Sequence, residues 1–325
     1  MSSELRLAWV GVGHIHTPGF VNEVLGRGIK CAGVYDDDAE RAAKNAEKLG
    51  GPVLTLAEIA QVDADGWVIT SETVRHLDLL RPIVKPGRKI FVEKPLGTDA
   101  AQSRAITAAI EDGQAIFQTG YRMRGDSRVR TLKTFLDEGR FGTVTRARMS
   151  VCHNGALGGW FDNEWRWMAD RSQSGVGAYG DLGTHGLDLL MWLFGDVDAA
   201  TGALGMGTAR YPGCDEFGEG LMQFASGVIG TLAASWDDVA DPIRLQICGT
   251  KGHALLNGDL QVAGEDGRLE VVTDLVPEAP AGFSAFLDCV QGLDAELVTP
   301  RAATARDVVM DAIYRGAETR TWIAL

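Results

Sequence analysis

The stretch LAWVGVGHIHTPGF, residues 7–20, decides the fold of the first part of the chain. Its apolar start, Leu7–Val10, predicts a short buried strand that runs into Gly11 and Gly13. Glycines at this spacing allow a tight turn and let backbone N–H groups approach a pyrophosphate at a helix N-terminus. The dinucleotide-binding fingerprint has a third glycine where this chain has His16, so either the helix tilts or the imidazole turns outward.

The same stretch contains a His-x-His pair, His14 and His16, which is a spacing typical of metal ligands. A metal-dependent hydrolase of the amidohydrolase type would carry such a pair after the first strand of an eight-fold βα barrel. The few remaining histidines and the second half of the chain do not follow that pattern. The phosphate-binding loop is therefore the preferred interpretation, and no metal site is predicted.

The composition indicates a two-domain globular protein. The 325 residues carry a net charge of −13, which argues against a nucleic-acid or anionic-membrane partner. Five scattered cysteines with no CxxC pair predict neither a disulfide framework nor structural zinc, and they fit a cytoplasmic location. No run of about 18 apolar residues is present, so no transmembrane helix is expected.

The order of strand-like and helix-like segments changes near Arg124. Before it they alternate, which predicts a parallel sheet wrapped by helices; after it, glycine turns join strands that look antiparallel, with helices near 181–194 and 283–292. The predicted fold class is an α/β domain with a doubly wound parallel sheet, residues 1–123. An α+β domain with a large, mostly antiparallel open sheet follows, residues 124–325.

The second predicted strand ends at Asp36, about 20 residues after the glycine loop. An acidic residue here bonds a ribose 2′-hydroxyl and repels a 2′-phosphate, so NAD is favoured over NADP. The alternative is that Asp36, Asp37 and Asp38 only cap the next helix, and both roles are compatible.

Lys94 follows an apolar strand in KIFVEKPLGTD, residues 89–99. Pro95 restricts it to extended geometry, and the carboxyl ends of parallel strands face the ligand crevice. Lys94 is therefore predicted to reach the active site, the alternative being an ordinary solvent-exposed lysine.

Three polar residues share one helical face in GVGAYGDLGTHGLDLLMWLFGD, residues 175–196: Asp181, His185 and Asp188. An aspartate near an imidazole orients it and supports its charged form, which suits a general acid or base. The alternative is a capped helix terminus with a satisfied histidine. Glycines 180, 183 and 186 predict close approach of a ligand or another part of the chain.

Together these segments resemble the Gfo/Idh/MocA family of oxidoreductases. VEKPLGTD resembles its Glu-Lys-Pro motif, GDLGTHGLDLLMWLFGD its Asp-x-x-x-His motif, and QTGYRMRGDSRVRTLKTFLDEGRFGTV its segment joining the two domains; TSETVRH, residues 70–76, stands where many members have TP…H. The resemblance implies an NAD(P)-dependent dehydrogenase that transfers a hydride between a secondary alcohol of a sugar or polyol and nicotinamide. It also implies that residues 1–123 form a Rossmann domain and that the protein is a homo-oligomer, a dimer or tetramer.

By this resemblance Lys94, Asp181 and His185 are the catalytic residues. The departures are His16 in place of glycine and Ser71 in place of proline. The predicted cofactor-binding residues are Gly11, Gly13, His14, Ile15, His16, Asp36, Thr70, Ser71, His76, Glu93, Lys94 and Arg122.

The loop CHNGALGGWFDNEWRW, residues 152–167, is expected to line the substrate pocket, because aromatic faces stack on sugar C–H surfaces and polar groups bond hydroxyls. The alternative is that its tryptophans pack in a core or an interface. The predicted substrate-binding residues are Lys94, His153, Asn154, Trp160, Arg166, Asp181 and His185.

Two other functions remain open within the resemblance. One is a non-catalytic dinucleotide-sensing regulator, against which the intact Lys94, Asp181 and His185 argue. The other is an NAD-dependent glycosidase that oxidises its substrate, eliminates and reduces again, with no net NADH.

Overall fold

A computed structural model describes residues 4–241 and 244–325, and its internal contacts divide the chain into two compact units. The first unit contains the chain up to Tyr121, together with Asp162–Gly175 and Pro280–Ala305. The second contains Arg122–Phe161, Val176–Ala279 and Arg306–Leu325. The first border lies next to the predicted one, but two later segments that the sequence assigned to the second domain belong to the first unit.

The structure contains the alternation of strands and helices predicted before Arg124 and the region rich in strands predicted after it. The strands are β1 (Arg6–Val10), β2 (Lys30–Tyr35), β3 (Gly66–Ile69), β4 (Lys89–Val92), β5 (Ile116–Thr119), β6 (Val144–Cys152), β7 (Val197–Gly205), β8 (Phe217–Phe224), β9 (Ile229–Ser235), β10 (Leu245–Gly249), β11 (Gly252–Asn257), β12 (Asp259–Ala263), β13 (Glu270–Val271) and β14 (Ile323–Ala324). The α-helices are α1 (Thr17–Gly26), α2 (Ala39–Leu49), α3 (Leu56–Ile59), α4 (His76–Leu80), α5 (Ala100–Asp112), α6 (Ser127–Asp137), α7 (Arg171–Ser174), α8 (Ala178–Phe194), α9 (Phe283–Gln291) and α10 (Pro300–Thr319).

The sheet of the first unit is parallel throughout. Among the described residues it has five strands in the order β2-β1-β3-β4-β5. Successive side chains of a strand point to opposite faces: Leu7 and Trp9 of β1 enter one apolar cluster, while Ala8 and Val10 enter the other. The carboxyl ends of these strands therefore lie along one edge, as the predicted Rossmann fold requires.

Helix α9 covers one face of this sheet although it lies far along the chain. Its Phe283 and Phe286 rings lie 5.0 and 5.7 Å from the ring of Phe91 on β4. The apolar stripe of α9 is thus buried on the parallel sheet. The sequence predicted this helix but placed it in the other domain.

The second unit contains the predicted larger sheet, with nine strands among its described residues in the order β13-β12-β11-β10-β6-β9-β8-β7-β14. Its pairs are antiparallel except for β6 with β9, where Arg146 lies opposite Ile229. Helix α8 packs on this sheet. A Cβ at Gly186 would come within 2.4 Å of the Leu232 side chain on β9, so the glycine allows close approach of helix to sheet.

Within the described residues, no helix combines the length and apolar character that crossing a membrane requires.

Candidate active site

The glycine loop after β1 is fixed by its contact with the end of β3. Gly11 has a φ of +86°, and a Cβ there would lie 2.5 Å from Cβ of Ser71. The Thr70 hydroxyl donates to the Gly11 carbonyl at 3.0 Å. The Thr70 backbone carbonyl accepts the N–H of His14 at 2.8 Å. Both the backbone conformation and the lack of space therefore require glycine at position 11.

The loop also retains donors that fit the pyrophosphate of a dinucleotide. Within the part of the chain that the structure describes, the N–H groups of Gly13 and Ile15 make no backbone–backbone hydrogen bond. Helix α1 begins at Thr17 with no acidic residue in its first turn and no side-chain cap. Unpaired N–H groups at a helix start attract an anion, so the loop fits the predicted cofactor.

Asp36 is held against this loop from the end of β2. Its Oδ2 accepts the N–H of Val12 at 2.8 Å, and its Oδ1 accepts from the N–H of Asp38 at 2.9 Å and from Arg41 Nη2 at 2.7 Å. Asp38 caps α2, because its carboxylate accepts the N–H groups of Glu40 and Arg41. The capping alternative is therefore correct for Asp38. The ribose contact of Asp36 stays a prediction.

Arg41 is a residue of this site that the sequence did not reveal. Its Nη1 would lie 2.8 Å from a Cβ at Gly13, so its guanidinium lies beside the glycine loop, and it also bonds Glu72 at 2.8 Å. Burial lowers its pKa, but the bond to Asp36 and the charge of Glu72 outweigh burial and raise the pKa. A basic residue five positions after Asp36 was the available signal.

A cavity of about 440 Å³ opens beside Arg41. It lies next to the predicted ribose position at the end of β2. Its walls are side chains of the first unit, most of them charged: Asp37, Asp38, Arg41, Glu72, Val74, Arg75 and Gln173.

Glu93 and Lys94 follow β4 directly and are both buried. Glu93 is fully buried and Lys94 is 1% exposed, which excludes the alternative of an ordinary surface lysine. A cis peptide bond joins Lys94 to Pro95. Lys94 therefore lies in the protein interior, just after the carboxyl end of β4.

His76 lies at the start of α4 and is also buried. Its Nδ1 lies 3.0 Å from the carbonyl of Leu96. Burial is the main cause that lowers the pKa of His76 below its usual value. Burial therefore disfavours the charged form of this ring.

The two histidines of the loop meet Glu93. Nδ1 of His16 lies 2.9 Å from Oε1 of Glu93, and Nδ1 of His14 lies 4.0 Å from the same oxygen. The His16 imidazole, 35% exposed, thus turns toward the end of β4 rather than fully outward. Trp167, which the sequence did not assign to the cofactor site, donates from Nε1 to the Gly13 carbonyl at 2.9 Å and packs beside His14.

In the second unit, α8 buries all three polar residues that the sequence placed on one face: Asp181, His185 and Asp188. Asp181 accepts a hydrogen bond from Nε1 of Trp236 at 3.2 Å. Asp188 accepts from Nε of Arg124 at 2.8 Å and from Nε of Arg306 at 3.2 Å. The two aspartates therefore have different surroundings, and Asp188 anchors the helix through the buried Arg306 and the partly buried Arg124.

The start of α8 is capped by residues from distant parts of the chain. Its N-cap, Gly177, has no side chain to offer. Asp215 accepts from the N–H of Tyr179 at 2.9 Å, and the Tyr314 hydroxyl accepts from the N–H groups of Gly177 and Gly180 at 3.0 and 3.1 Å. Tyr314 in turn donates to Asp215 at 2.9 Å, so the helix start that carries Asp181 is satisfied.

The predicted substrate loop is divided between the units after Phe161. His153 stacks on Trp160 with ring centroids 4.5 Å apart, and both lie in the second unit with the exposed Asn154. Arg166 lies in the first unit, where its Nη1 donates to the Ala169 carbonyl at 2.9 Å. Arg122 is exposed and begins the second unit. The roles of these residues stay predictions.

Comparison with known families covers both units. Residues 5–121 match the model described as an oxidoreductase family with an NAD-binding Rossmann fold, and residues 129–255 match that of the GFO/IDH/MocA C-terminal domain. The chain belongs to the Gfo/Idh/MocA family. This Gfo/Idh/MocA protein is an NAD(P)-dependent oxidoreductase with an NAD-binding N-terminal domain, so the predicted family, fold and enzyme class are confirmed.

Among relatives of this Gfo/Idh/MocA protein, the levoglucosan dehydrogenase of Pseudarthrobacter phenanthrenivorans is 26% identical over 261 residues, which are 71% of this chain and 66% of that one. The scyllo-inositol 2-dehydrogenase (NAD(+)) of Bacillus subtilis is 24% identical over 94% of this chain and 91% of its own. The aldose-aldose oxidoreductase of Caulobacter crescentus, solved with glycerol, shares the fold with a TM-score of 0.83 at 17% identity, over 99% of this chain and 100% of that one.

Proposed function

We propose that this protein oxidises a secondary alcohol of a sugar, a polyol or a sugar-derived compound to a carbonyl, with NAD as the hydride acceptor. Relatives that are named as levoglucosan and inositol dehydrogenases support the substrate class. The observation that carries the proposal is the burial of Lys94 at the carboxyl end of β4. Lysines are seldom fully buried unless a partner or a task holds them there, and this edge of a parallel sheet is where ligands bind.

The protein's own residues supply the proton chemistry. In the oxidation the alcohol C–H bond breaks and its electron pair leaves as hydride, the O–H proton passes to His185, and the C=O bond forms. Lys94 donates a hydrogen bond to the oxygen as negative charge develops on it. Asp181, held by Trp236, orients the imidazole and stabilises its protonated form. Bound NAD supplies the hydride acceptor.

NAD is the proposed cofactor in preference to NADP. The supporting observation is Asp36, whose carboxylate lies beside the glycine loop at the end of β2. A negative charge there disfavours the 2′-phosphate of NADP.

The proposal is tested by measuring NADH formation over a panel of aldoses, inositols and sugar acids, with NAD and NADP compared. Lys94→Ala and His185→Ala should each lower kcat by about 10²–10⁴-fold because each removes a donor or base used in the transition state. Fluorescence titration should show NADH binding nearly unchanged in His185→Ala.

Matched controls are Lys48→Ala, an exposed lysine on α2, and His253→Ala, on β11, which should retain wild-type turnover. Wild-type turnover in Lys94→Ala or His185→Ala would refute the assigned roles. Tight NAD binding without any turnover would instead identify a sensor, and substrate cleavage without net NADH an NAD-dependent glycosidase.

We also propose that the protein is a cytoplasmic homo-oligomer, a dimer or tetramer, with no nucleic-acid partner. The family resemblance supports the oligomer, and the net charge of −13 disfavours nucleic acid. Light scattering of the purified protein tests the oligomeric state, and a monomer at all concentrations would contradict it.

A further inference from the structure

The cluster of His14, His16 and Glu93 has the composition of a metal site. One ligand atom from each of the three side chains lies within 4.8 Å of the others. His16 Nδ1 and Glu93 Oε1 lie 2.9 Å apart. The dehydrogenase chemistry of Lys94, Asp181 and His185 does not use this arrangement.

Glu93 is the residue that most needs a cation. Its carboxylate is fully buried, and in the described part of the chain its Oε2 has no hydrogen-bond partner. Gly120 makes room for the group, because a Cβ there would come within 2.5 Å of Oε2. A buried carboxylate is costly unless a cation or several donors compensate it.

The donor set selects the kind of metal. Two imidazoles and one carboxylate suit zinc and similar divalent transition metals, whereas Mg²⁺ and Ca²⁺ prefer oxygen ligands. Metal–ligand distances of about 2.1 Å place tetrahedral ligand atoms about 3.4 Å apart. The separations of 2.9 and 4.0 Å from Glu93 Oε1 to the two Nδ1 atoms bracket that value.

Two existing contacts must give way. Nδ1 of His16 and Oε1 of Glu93 share a hydrogen bond of 2.9 Å, and a metal ion would displace its proton. Nδ1 of His14 accepts the backbone N–H of His16 at 3.1 Å, and a metal ion would take the same lone pair. His16 is 35% exposed, which leaves an entry path and room for water or another ligand in the remaining coordination positions.

We propose that His14, His16 and Glu93 bind one divalent transition-metal ion, Zn²⁺ or Co²⁺ in vitro, at the glycine loop. This site is not the hydrolase centre that the His-x-His pair first suggested, because the strands form a five-stranded parallel sheet rather than an eight-fold barrel in the described residues. The ion would tie the start of α1 to the end of β4. Binding does not depend on the proposed dehydrogenase reaction.

The test uses the full chain stripped of metal with a chelator and measured without nucleotide or substrate. Co²⁺ is added to follow the visible ligand-field spectrum, and bound Zn²⁺ is counted by elemental analysis. We expect one ion per chain and an intense spectrum typical of four- or five-coordinate cobalt with nitrogen ligands. Zn²⁺ should also raise the thermal unfolding midpoint of the wild type.

The variants His16→Ala and Glu93→Gln should weaken metal binding by more than about tenfold. Even the mutation of a residue that only supports a metal ligand typically lowers metal affinity by about 10–100-fold. The control His253→Ala removes a histidine of the second unit and should bind metal like the wild type.

Substoichiometric metal, a weak six-coordinate spectrum in the wild type, or unchanged binding by His16→Ala would overturn the proposal. The wild-type spectrum decides the question even where a variant fails to fold. NADH formation in chelator is assayed separately, so a failure of the metal site and a failure of the proposed reaction are distinguishable.

Discussion

The backbone N–H of Val12 donates a hydrogen bond of 2.8 Å to Oδ2 of Asp36. This bond joins the glycine loop to the end of β2, and Arg41 bonds the other oxygen of the same carboxylate. The residue predicted to select NAD therefore also holds the loop and neutralises the arginine beside it.

Asp36→Asn should shift cofactor preference toward NADP. The change removes the charge that disfavours a 2′-phosphate and leaves Arg41 available to attract it. We expect the ratio of kcat/KM for NAD to that for NADP to fall by at least about tenfold, or about 1.4 kcal/mol. The control is Asp63→Asn, an exposed aspartate of the same unit. An unchanged ratio would remove Asp36 from cofactor selection.

Trp236→Phe should lower kcat while leaving KM nearly unchanged. The substitution keeps an aromatic ring against Phe161 but deletes the donor to Asp181. Hydrogen bonds to charged groups contribute about 1.5–3 kcal/mol, so a loss of about 10–100-fold in kcat is expected. Steady-state kinetics measure it, and the exposed Trp322→Phe is the control. Equal kcat in both variants would show that Asp181 does not depend on this bond.

Asp188→Ala should destabilise the second unit strongly. It leaves Arg124 and Arg306, both largely buried, without the carboxylate they share. Removing one partner of a buried ion network costs about 3–5 kcal/mol. Asp137→Ala, which breaks an exposed i,i+4 pair with Lys133, should cost less than about 1 kcal/mol. Urea denaturation measures both, and similar losses would contradict the anchoring role of Asp188.

The pH dependence of stability should reflect His76. Burial depresses its pKa, so the folded state keeps the ring neutral while the unfolded state binds a proton below about pH 6.5. The free energy of unfolding should therefore fall as pH decreases through that value, by up to about 1.4 kcal/mol per pH unit from this group. His76→Gln should flatten the slope between about pH 7 and pH 5.5, and His253→Gln should not. A slope that is the same in His76→Gln and the wild type would refute the assignment.

The local pattern predicted the elements well, because each strand of the first unit is a short apolar run closed by turn residues. The predicted strand Leu7–Val10 differs from β1 by one residue at one end, and the second strand was predicted to end at Asp36, one residue beyond the end of β2. Helix α8 begins three residues before the predicted 181, because distant groups rather than a local cap satisfy its first N–H groups.

Contacts between residues far apart in sequence could not be predicted. The position of Arg41 beside Gly13, of Trp167 on the Gly13 carbonyl, and of α9 on the parallel sheet each depends on how distant segments pack. The approach of Glu93 to His14 and His16 likewise depends on how distant segments pack. The parallel pairing of β6 with β9 in the larger sheet also cannot be read from the local alternation of side chains.

The capping of α8 has a consequence for the order in which the protein assembles. Asp215 precedes the β8–β9 hairpin, and Tyr314 lies on the last helix of the chain, so the groups that satisfy the start of α8 are synthesised after it. Until α10 has docked, the first N–H groups of α8 lack the Tyr314 acceptor, and the turn that carries Asp181 is free to fray. The helix that bears the proposed proton acceptor is thus completed only when nearly the whole chain is present.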